Sequence, residues 1–525
     1  MEKKNRKERE REREREREGE SSSESMVSAL IFCLLFVLCT KSTQAIASLE
    51  PSPSSSVCII GSGIAGSSVA HFLRRYSTGD PLLPTINGIR IFERNRIVGG
   101  RMATVSIGGD TFEAGASIIH PKNYHALNFT KSLNLRIKEP SSDSSESSLG
   151  IWDGTQFVFK TIISNPKSPL YNKIVSIVNS LLIFFRYGFS LYKMQSFVDN
   201  TVGSFLKYYT DLASRPVFES VDEMLKWSGL YGLTRRTLQE ELVDVGLSPR
   251  LMSELITVIT RINYGQSLAI SGLAGAVSMA GSDAGLWSVE GGNWKIAAGL
   301  INSSDVTLHL NEEIESITHL GDYYELNSTK GNSYACEITI VATPLDELNI
   351  QFQPPISIPK RKLQHTHTTF VRGLLNPAYF GLLYVSEIPE LVGTIEDPDL
   401  PFSSISILKK YSEQDMAHKI FSRKPLIDAL LDQIFSVRKE TIWIDWGAYP
   451  HFKAPEVFAP FVLDDLHLYY INAFDNAAST IETGAVAAEN VARLILSRLS
   501  DRQATSRTPN PKSSAPDEVD LHSEL

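Results

Sequence analysis

Four cysteines in 525 residues are too few for a small secreted fold held by disulfides. Cys33 and Cys39 lie in an apolar N-terminal run, which leaves Cys58 and Cys336, each on an expected buried strand. Two buried thiols do not make a disulfide framework, and a chain with an ample core needs none. No His, Cys, Asp and Glu cluster at metal-ligand spacing, and the 11 histidines are scattered, so no metal is expected. A basic excess is also missing. The formal charge of −9 argues against a nucleic-acid partner, because phosphate binding requires a basic face. There is no comfortable transmembrane run either, since the apolar stretch VSALIFCLLFVLCT at 27–40 is too short to span a bilayer. No internal repeat is evident.

The N-terminus stands apart from the rest. Residues 1–26 are a charged, low-complexity extension, almost purely Lys, Arg and Glu over 2–18, and cannot build a core. Residues 27–47 read as a secretory signal peptide ending in the small-x-small pair Ala45 and Ala47, with an uncleaved anchor as the alternative. Met26, directly before the run, is a second candidate start. Three sequons, at Asn128, Asn302 and Asn327, fit a secretory route.

The most informative stretch follows. A short apolar strand at 57–60 runs into Gly61-x-Gly63-x-x-Gly66 and then a helix, and a second strand ends on Glu93, with Arg94 next to it. This pattern holds the ADP half of a dinucleotide. Gly61 allows the tight turn, Gly63 lets the backbone approach a pyrophosphate, and Gly66 lets helix and strand pack closely. Glu93 would accept hydrogen bonds from ribose hydroxyls. Its longer separation from the glycines is taken up by a Gly/Pro/Thr-rich loop at 77–88.

The remaining elements suggest an α/β chain of two interleaved domains. Residues 55–125, 285–345 and 465–499 are expected to form a Rossmann-type nucleotide domain from separated pieces. Residues 126–284 and 346–464 would form a mixed α+β substrate domain, and 500–525 a disordered tail. Ile174, Ile177, Val178, Leu181, Leu182 and Phe185 recur at helical spacing. Core packing, a substrate-tunnel wall or a membrane-facing surface would each explain that helix. Ser220 followed by Glu223 is a helix-start signature. Val306 to Thr318 alternates like one strand, and an Ala-rich helix is expected from Thr483 to about Leu499.

These segments resemble the amine-oxidase-like flavoproteins, and within them the prenylcysteine oxidase and farnesylcysteine lyase family. The likeness is carried by VCIIGSGIAGSSVAHFLR at 57–74, IFERNRIVGGRM at 91–102, FEAGASIIHPKN at 112–123, WSVEGGNWKIAAGLI at 287–301, EITIVATPLDEL at 337–348 and IETGAVAAENVARLIL at 481–496. GASIIHPKN and VEGGNWK are the parts particular to the prenylcysteine branch. The resemblance implies FAD as cofactor. Gly99, Gly100 and Arg101 would then lie near the pyrophosphate, and Ala116, Ser117 and Ile118 would line the isoalloxazine. Thr483, Gly484 and Ala485 would open a helix whose positive end faces the flavin N1 edge. Gly291, Gly292 and Asn293 would allow close backbone approach near the site.

The implied reaction is oxidative cleavage of a prenylated cysteine, a product of prenylated-protein breakdown, by O2 and water. It yields free cysteine, a prenyl aldehyde and hydrogen peroxide. Sulfur and the allylic system stabilise the cation left when hydride departs, so the chemistry needs no strong base, and no catalytic constellation stands out. His120 and Lys295 are weak candidates for proton transfer, and Leu182 and Phe185 for the prenyl wall. A lysosomal or vacuolar destination is a further implication of the resemblance, while peripheral membrane contact is a reading of the apolar helix at 174–185. The competing readings are an amine or polyamine oxidase of the same superfamily, and a flavin-loaded prenyl carrier without activity.

Overall fold

The computed structural model describes residues 56–77, 86–138, 148–163, 168–212, 214–346 and 348–507. The charged extension, the signal-like run and residues 508–525 lie outside the described residues. A five-stranded, all-parallel sheet organises the first half. Its order is Leu468–Tyr470, Ile338–Val341, Ser56–Ile60, Gly88–Glu93 and Thr307–Leu310. The two central strands, SVCII and ITIV, are buried at every position, as strands covered on both faces must be. Helix Ile64–Ser77 packs between Trp294–Ser303 and the C-terminal helix Ile481–Arg507. The C-terminal helix supplies Ala485, Ala487, Ala488, Val491 and Ala492 to the main core. Small residues there allow the helices to approach closely. This helix runs to Arg507, beyond the end near Leu499 expected from the alanine pattern.

The alternating stretch expected as one strand from Val306 to Thr318 is two strands in two sheets. Thr307–Leu310 ends the parallel sheet, and Ile314–His319 belongs to a four-stranded sheet with Tyr324–Ser328, Ser333–Cys336 and Gln351–Gln353. Asn311 breaks the run with a left-handed φ of 54°, and Glu312 N donates to Glu93 O at 2.8 Å. Alternation persists through the turn, so periodicity alone does not reveal it.

The second half is a seven-stranded sheet in the order Phe435–Pro450, Leu363–Leu375, Asp415–Ser422, Ser404–Ser412, Leu391–Thr394, Leu149–Trp152 and Phe157–Lys160. All its pairs are antiparallel except Leu391–Thr394 with Leu149–Trp152. Helices between 169 and 280 form a separate apolar cluster beside it. The expected start at Ser220 is present, with its hydroxyl accepting Glu223 N.

One expectation is overturned. Cys58 and Cys336 form a disulfide across 278 residues, with Cα atoms 5.8 Å apart. The parallel register sets Val57 against Ile338 and brings the end of the Ser333–Cys336 strand beside Cys58, a proximity no local pattern encodes. The bond ties the first strand to a segment that joins two sheets. Closing so long a loop constrains the unfolded chain. Cys336→Ser should therefore lower the thermal midpoint on the order of 5 °C with the same far-ultraviolet dichroism. An unchanged midpoint in differential scanning fluorimetry, with both thiols free in the wild type by Ellman titration, would contradict the cross-link.

Candidate active site

The C-terminal ends of the central parallel strands open onto a cavity of about 490 Å3, the usual place for a ligand in an open α/β sheet. Its floor is the glycine elbow, and its far wall comes from the seven-stranded sheet. At Gly61 an added Cβ would sit 2.7 Å from Ala342 O, and at Gly66 it would sit 2.0 Å from Gly61 O. Those two glycines are demanded by the fold. Gly63 differs, because a Cβ there meets nothing nearer than 3.8 Å, in Gly99 and Gly100. Its bareness serves the cavity and not the packing, which is what a cradle for a phosphate requires. The first-turn amides of Ile64–Ser77 lie at the same spot.

Glu93 lines the cavity as expected, already well bonded. Oε2 accepts from Ser62 N at 3.1 Å and Ser62 Oγ at 2.6 Å, while Oε1 accepts from Asn95 N and Nδ2, both at 2.9 Å. A ribose hydroxyl would have to replace one of these donors, and the rotatable Ser62 hydroxyl is the easiest to displace. Arg94 stands exposed at the rim, where its cation suits an anionic ligand. Gly99 and Gly100 line the cavity. Arg101 lines it too, but its guanidinium is engaged with Asp475 Oδ2 at 2.7 Å and Ala448 O at 2.9 Å.

At the other end the expected residues divide. Ala116 lines the cavity, whereas Ile118 is half-exposed and outside it, and Ser117 turns its hydroxyl to Gly115 O at 2.8 Å. Gly484 reaches the cavity with Thr480 and Ile481. Thr483 instead caps its own helix, accepting Thr480 N at 2.9 Å, and Ala485 is in the core. The helix start does face the cavity, shifted by part of a turn from the expected residues.

Asn293 explains the GGN group. It is fully buried. Its N–H donates to Glu113 Oε1 at 2.7 Å, its Nδ2 donates to Ala116 O at 2.9 Å, and its Oδ1 accepts Val289 N at 2.9 Å. It thereby brackets the cavity-lining segment. Behind that segment lies Lys419, buried, donating to Glu113 O and Ser117 Oγ, each at 3.0 Å. Burial pulls the Lys419 ammonium down to about 8, against the attraction of Glu113. Burial likewise pushes the Glu113 carboxyl up to about 7, against the Asn293 N–H and the Lys419 charge.

The two proton-transfer candidates fall elsewhere. His120 bonds Asp283 Oδ2 at 3.1 Å and receives Lys122 N, and Lys295 donates to Glu290 O on the exposed side of its helix. Neither lines the cavity, since each side chain points away from the segment whose sequence suggested it. Leu182 and Phe185 are also absent from its walls, and Phe185 is 80% exposed. The helix turns its other face inward, through Val175, Asn179 and Tyr187. The far wall, which no motif announced, carries Thr366, Thr368 and Trp446, with Asn472 at the sheet edge. Thr366 Oγ1, Thr368 Oγ1, Trp446 Nε1 and Asn472 Oδ1 are buried without a hydrogen-bond partner among the described residues. Four such atoms around one cavity are groups that a polar ligand would satisfy. Together with the open Gly63 cradle they fit a dinucleotide.

Comparison with known proteins accords with this arrangement. The description "Prenylcysteine lyase" matches residues 170–507, and an NAD(P)-binding Rossmann-like domain matches 59–133. The chain is 62% identical over 479 residues to farnesylcysteine lyase of Arabidopsis thaliana, covering 91% of this chain and 95% of that one. It is 33% identical to human prenylcysteine oxidase 1, covering 89% and 93%. Among solved structures, putrescine oxidase bound to putrescine superposes with a TM-score of 0.54 at 13% identity, over 85% of this chain and 99% of that one. Cyclohexylamine oxidase from Brevibacterium oxydans does so with a TM-score of 0.53 at 17% identity, over 85% and 100%. These two show the fold.

Gly63→Ala should leave the flavin-free fold unchanged and weaken flavin retention at least about tenfold, or ~1.4 kcal/mol. The flavin-to-protein absorbance ratio after dialysis reads this, and normal flavin content in Gly63→Ala would refute the cradle. Glu113 gives a pH test. An acid whose folded pKa is raised stabilises the fold while protonated, below 4.5, and that contribution is lost as pH rises through about 7. Glu113→Gln should accordingly gain thermal stability relative to wild type between about pH 5 and pH 8. A pH-independent difference would show that the carboxyl carries no burial cost.

Proposed function

The chain belongs to the prenylcysteine lyase family, and from that premise we propose that it is an FAD-dependent thioether oxidase that cleaves S-farnesyl-L-cysteine. The 62% identity to farnesylcysteine lyase along nearly the whole chain carries the choice of substrate. The reaction balances as thioether plus water plus O2 giving cysteine, prenyl aldehyde and hydrogen peroxide. FAD, when bound, supplies the two-electron acceptor for the carbon attached to sulfur.

The protein's own groups supply holding, orientation and dryness. The glycine elbow and the first-turn amides of Ile64–Ser77 would hold the diphosphate, and Glu93 the ribose. Gly484 and Thr480 bring the start of the C-terminal helix to the cavity, where its dipole favours negative charge. Asn293 holds the Ala116 carbonyl through its Nδ2 and the Glu113 carboxyl through its N–H, so that wall is set before substrate arrives. Ile262, Leu363, Phe421 and Trp446 make apolar surface that a prenyl chain can cover and water cannot wet. The Thr366 and Thr368 hydroxyls and the Asp445 carboxylate offer polar partners on the same wall. Lys419 is a positioning residue. Its ammonium holds Ser117 Oγ and the Glu113 carbonyl, and so acts on the cavity through the segment leading to Ala116.

The same reading routes the chain through the secretory pathway to a lysosome or vacuole. The Cys58–Cys336 disulfide supports an oxidising compartment. Asn128 and Asn302 are exposed and open to a glycan. Asn327 is less suited, because its amide is engaged with Ser316 and Ser333.

Peroxide release from the purified flavoprotein is the discriminating assay. Farnesylcysteine should give peroxide, farnesal and free cysteine in equal amounts, and spermine or putrescine should give none. Peroxide from the amines would favour the amine-oxidase reading. A yellow protein that binds farnesylcysteine without turnover would be a carrier.

A further inference from the structure

We propose that the bent helical pair Pro169–Tyr187 and Ser190–Phe205 is a monotopic dock for an anionic lipid leaflet, which takes the apolar knuckle at the bend into its headgroup boundary. The proposal holds whichever thioether the cavity accepts.

Helix Pro169–Tyr187 is two-faced, with the unusual side outward. Val175, Asn179 and Tyr187 face in, and Asn179 pins the helix by accepting Ile162 N at 2.7 Å and donating to Ile162 O at 2.9 Å. Leu170, Ile174, Ile177, Leu181 and Phe184 recur at three- and four-residue spacing and face out, all exposed. The chain then turns through Gly188, which has a φ of 61°, and the next helix leaves at 94°. Phe185, Phe189 and Tyr192 project from this corner, 80%, 78% and 79% exposed. Those three rings alone leave about 400 Å2 of aromatic surface in water, as large as the whole patch typical of a soluble monomer.

Charge decides the occupant. The chain is acidic overall, yet from Gly154 to Val198 it contains no Asp or Glu and five Lys or Arg residues. Arg186 is spent on Glu254, at 2.6 and 2.8 Å, and Lys193 reaches Gly246 O. Lys173 is exposed on the apolar helix itself. A second copy is a poor partner, because a two-fold interface through this face would bring Lys173 toward its own image. An anionic leaflet satisfies both features, with rings and aliphatic side chains in the acyl boundary and ammonium groups at the phosphates. No single helix among the described residues is long and apolar enough to cross a bilayer, while this pair taken together has the length and composition of a broken span; its 94° bend and the inward-facing Val175, Asn179 and Tyr187 set it on the surface instead. Ile183 on the inner side packs on the buried trio Ile151, Phe159 and Val258. Ile262, a wall of the main cavity, packs on the same trio. The docking face and the site therefore share one piece of core.

The test is co-sedimentation of the full-length flavoprotein, free of detergent, with phosphatidylcholine vesicles lacking or containing about one third phosphatidylserine. The wild type should pellet with the anionic vesicles and at least tenfold less with the neutral ones. The double variant Phe189→Asp, Tyr192→Asp should lose binding at least tenfold while keeping its flavin and its far-ultraviolet dichroism. Phe189→Trp should show a blue-shifted emission on adding anionic vesicles only. Equal binding by the double variant would overturn the proposal, because the membrane contact would then lie elsewhere in the chain. So would wild-type protein that stays in the supernatant, or a dimer in sedimentation velocity that the double variant dissolves.

Discussion

The close approach of the first helix to the first strand governs this structure. With glycine at 66 the helix backbone comes so near that a Cβ would lie 2.0 Å from Gly61 O, inside any tolerable contact. That approach aims the helix N-terminus at the C-terminal edge of the sheet and fixes where an anion can be held. Everything else in the nucleotide half is arranged around it. Ala342 O closes on Gly61 from a strand far along the chain, Gly99 N reaches back to Ser62 O at 3.2 Å, and Gly484 packs against Ile64. The segments that complete the domain meet at that elbow, so the cavity floor is rigid before any ligand enters.

Where the sequence was legible, the reason is that local rules and global fold agreed. The glycine spacing, the acid at the end of the second strand and the all-apolar central strands each point to the same parallel sheet, and the sheet is there. The far wall had no such signal. Thr366 and Thr368 are ordinary residues of a 13-residue strand, and which of its faces meets the cavity depends on pairing that shifts register between Gln364 and His365. His120 and Lys295 failed for a related reason. Each adjoins a segment that lines or supports the site, but adjacency in sequence does not set side-chain direction, and both turn to partners on the outside. The disulfide was hidden because it depends on two sheets meeting, not on any spacing between cysteines.

The apolar helix beyond residue 169 shows the limit of periodicity in another way. Its spacing identifies a helix with a greasy stripe, and the helix exists. Spacing cannot say whether that stripe points into a core or away from it. Burial answers this, since the stripe faces out and the narrower face carrying Val175 and Asn179 faces in. A stripe left in water must have a use or a cost. The lack of acidic residues over the same stretch is what separates a lipid partner from a neglected surface.

The two halves meet at the cavity through polar groups as well as through the apolar cluster of Ile107, Ala114, Phe370 and Ala417, and the polar groups have a physical rationale. Asn293, on a helix of the parallel-sheet half, and Lys419, on the seven-stranded sheet, both grip the segment from Glu113 to Ser117. Apolar contacts are nondirectional and would let that segment slide. Hydrogen bonds to Glu113, Ala116 and Ser117 are directional and fix its register. The cost is burial of a carboxyl and an ammonium, whose pKa values move toward each other, to about 7 and about 8. Each charge offsets only part of the other's desolvation, because the Lys419 ammonium bonds the Glu113 carbonyl and not its carboxylate. Buried polar contacts that carry such desolvation contribute little net stability. What they contribute is one fixed position for the cavity wall at Ala116, set before any ligand enters, and directional bonds give that where an apolar joint would not.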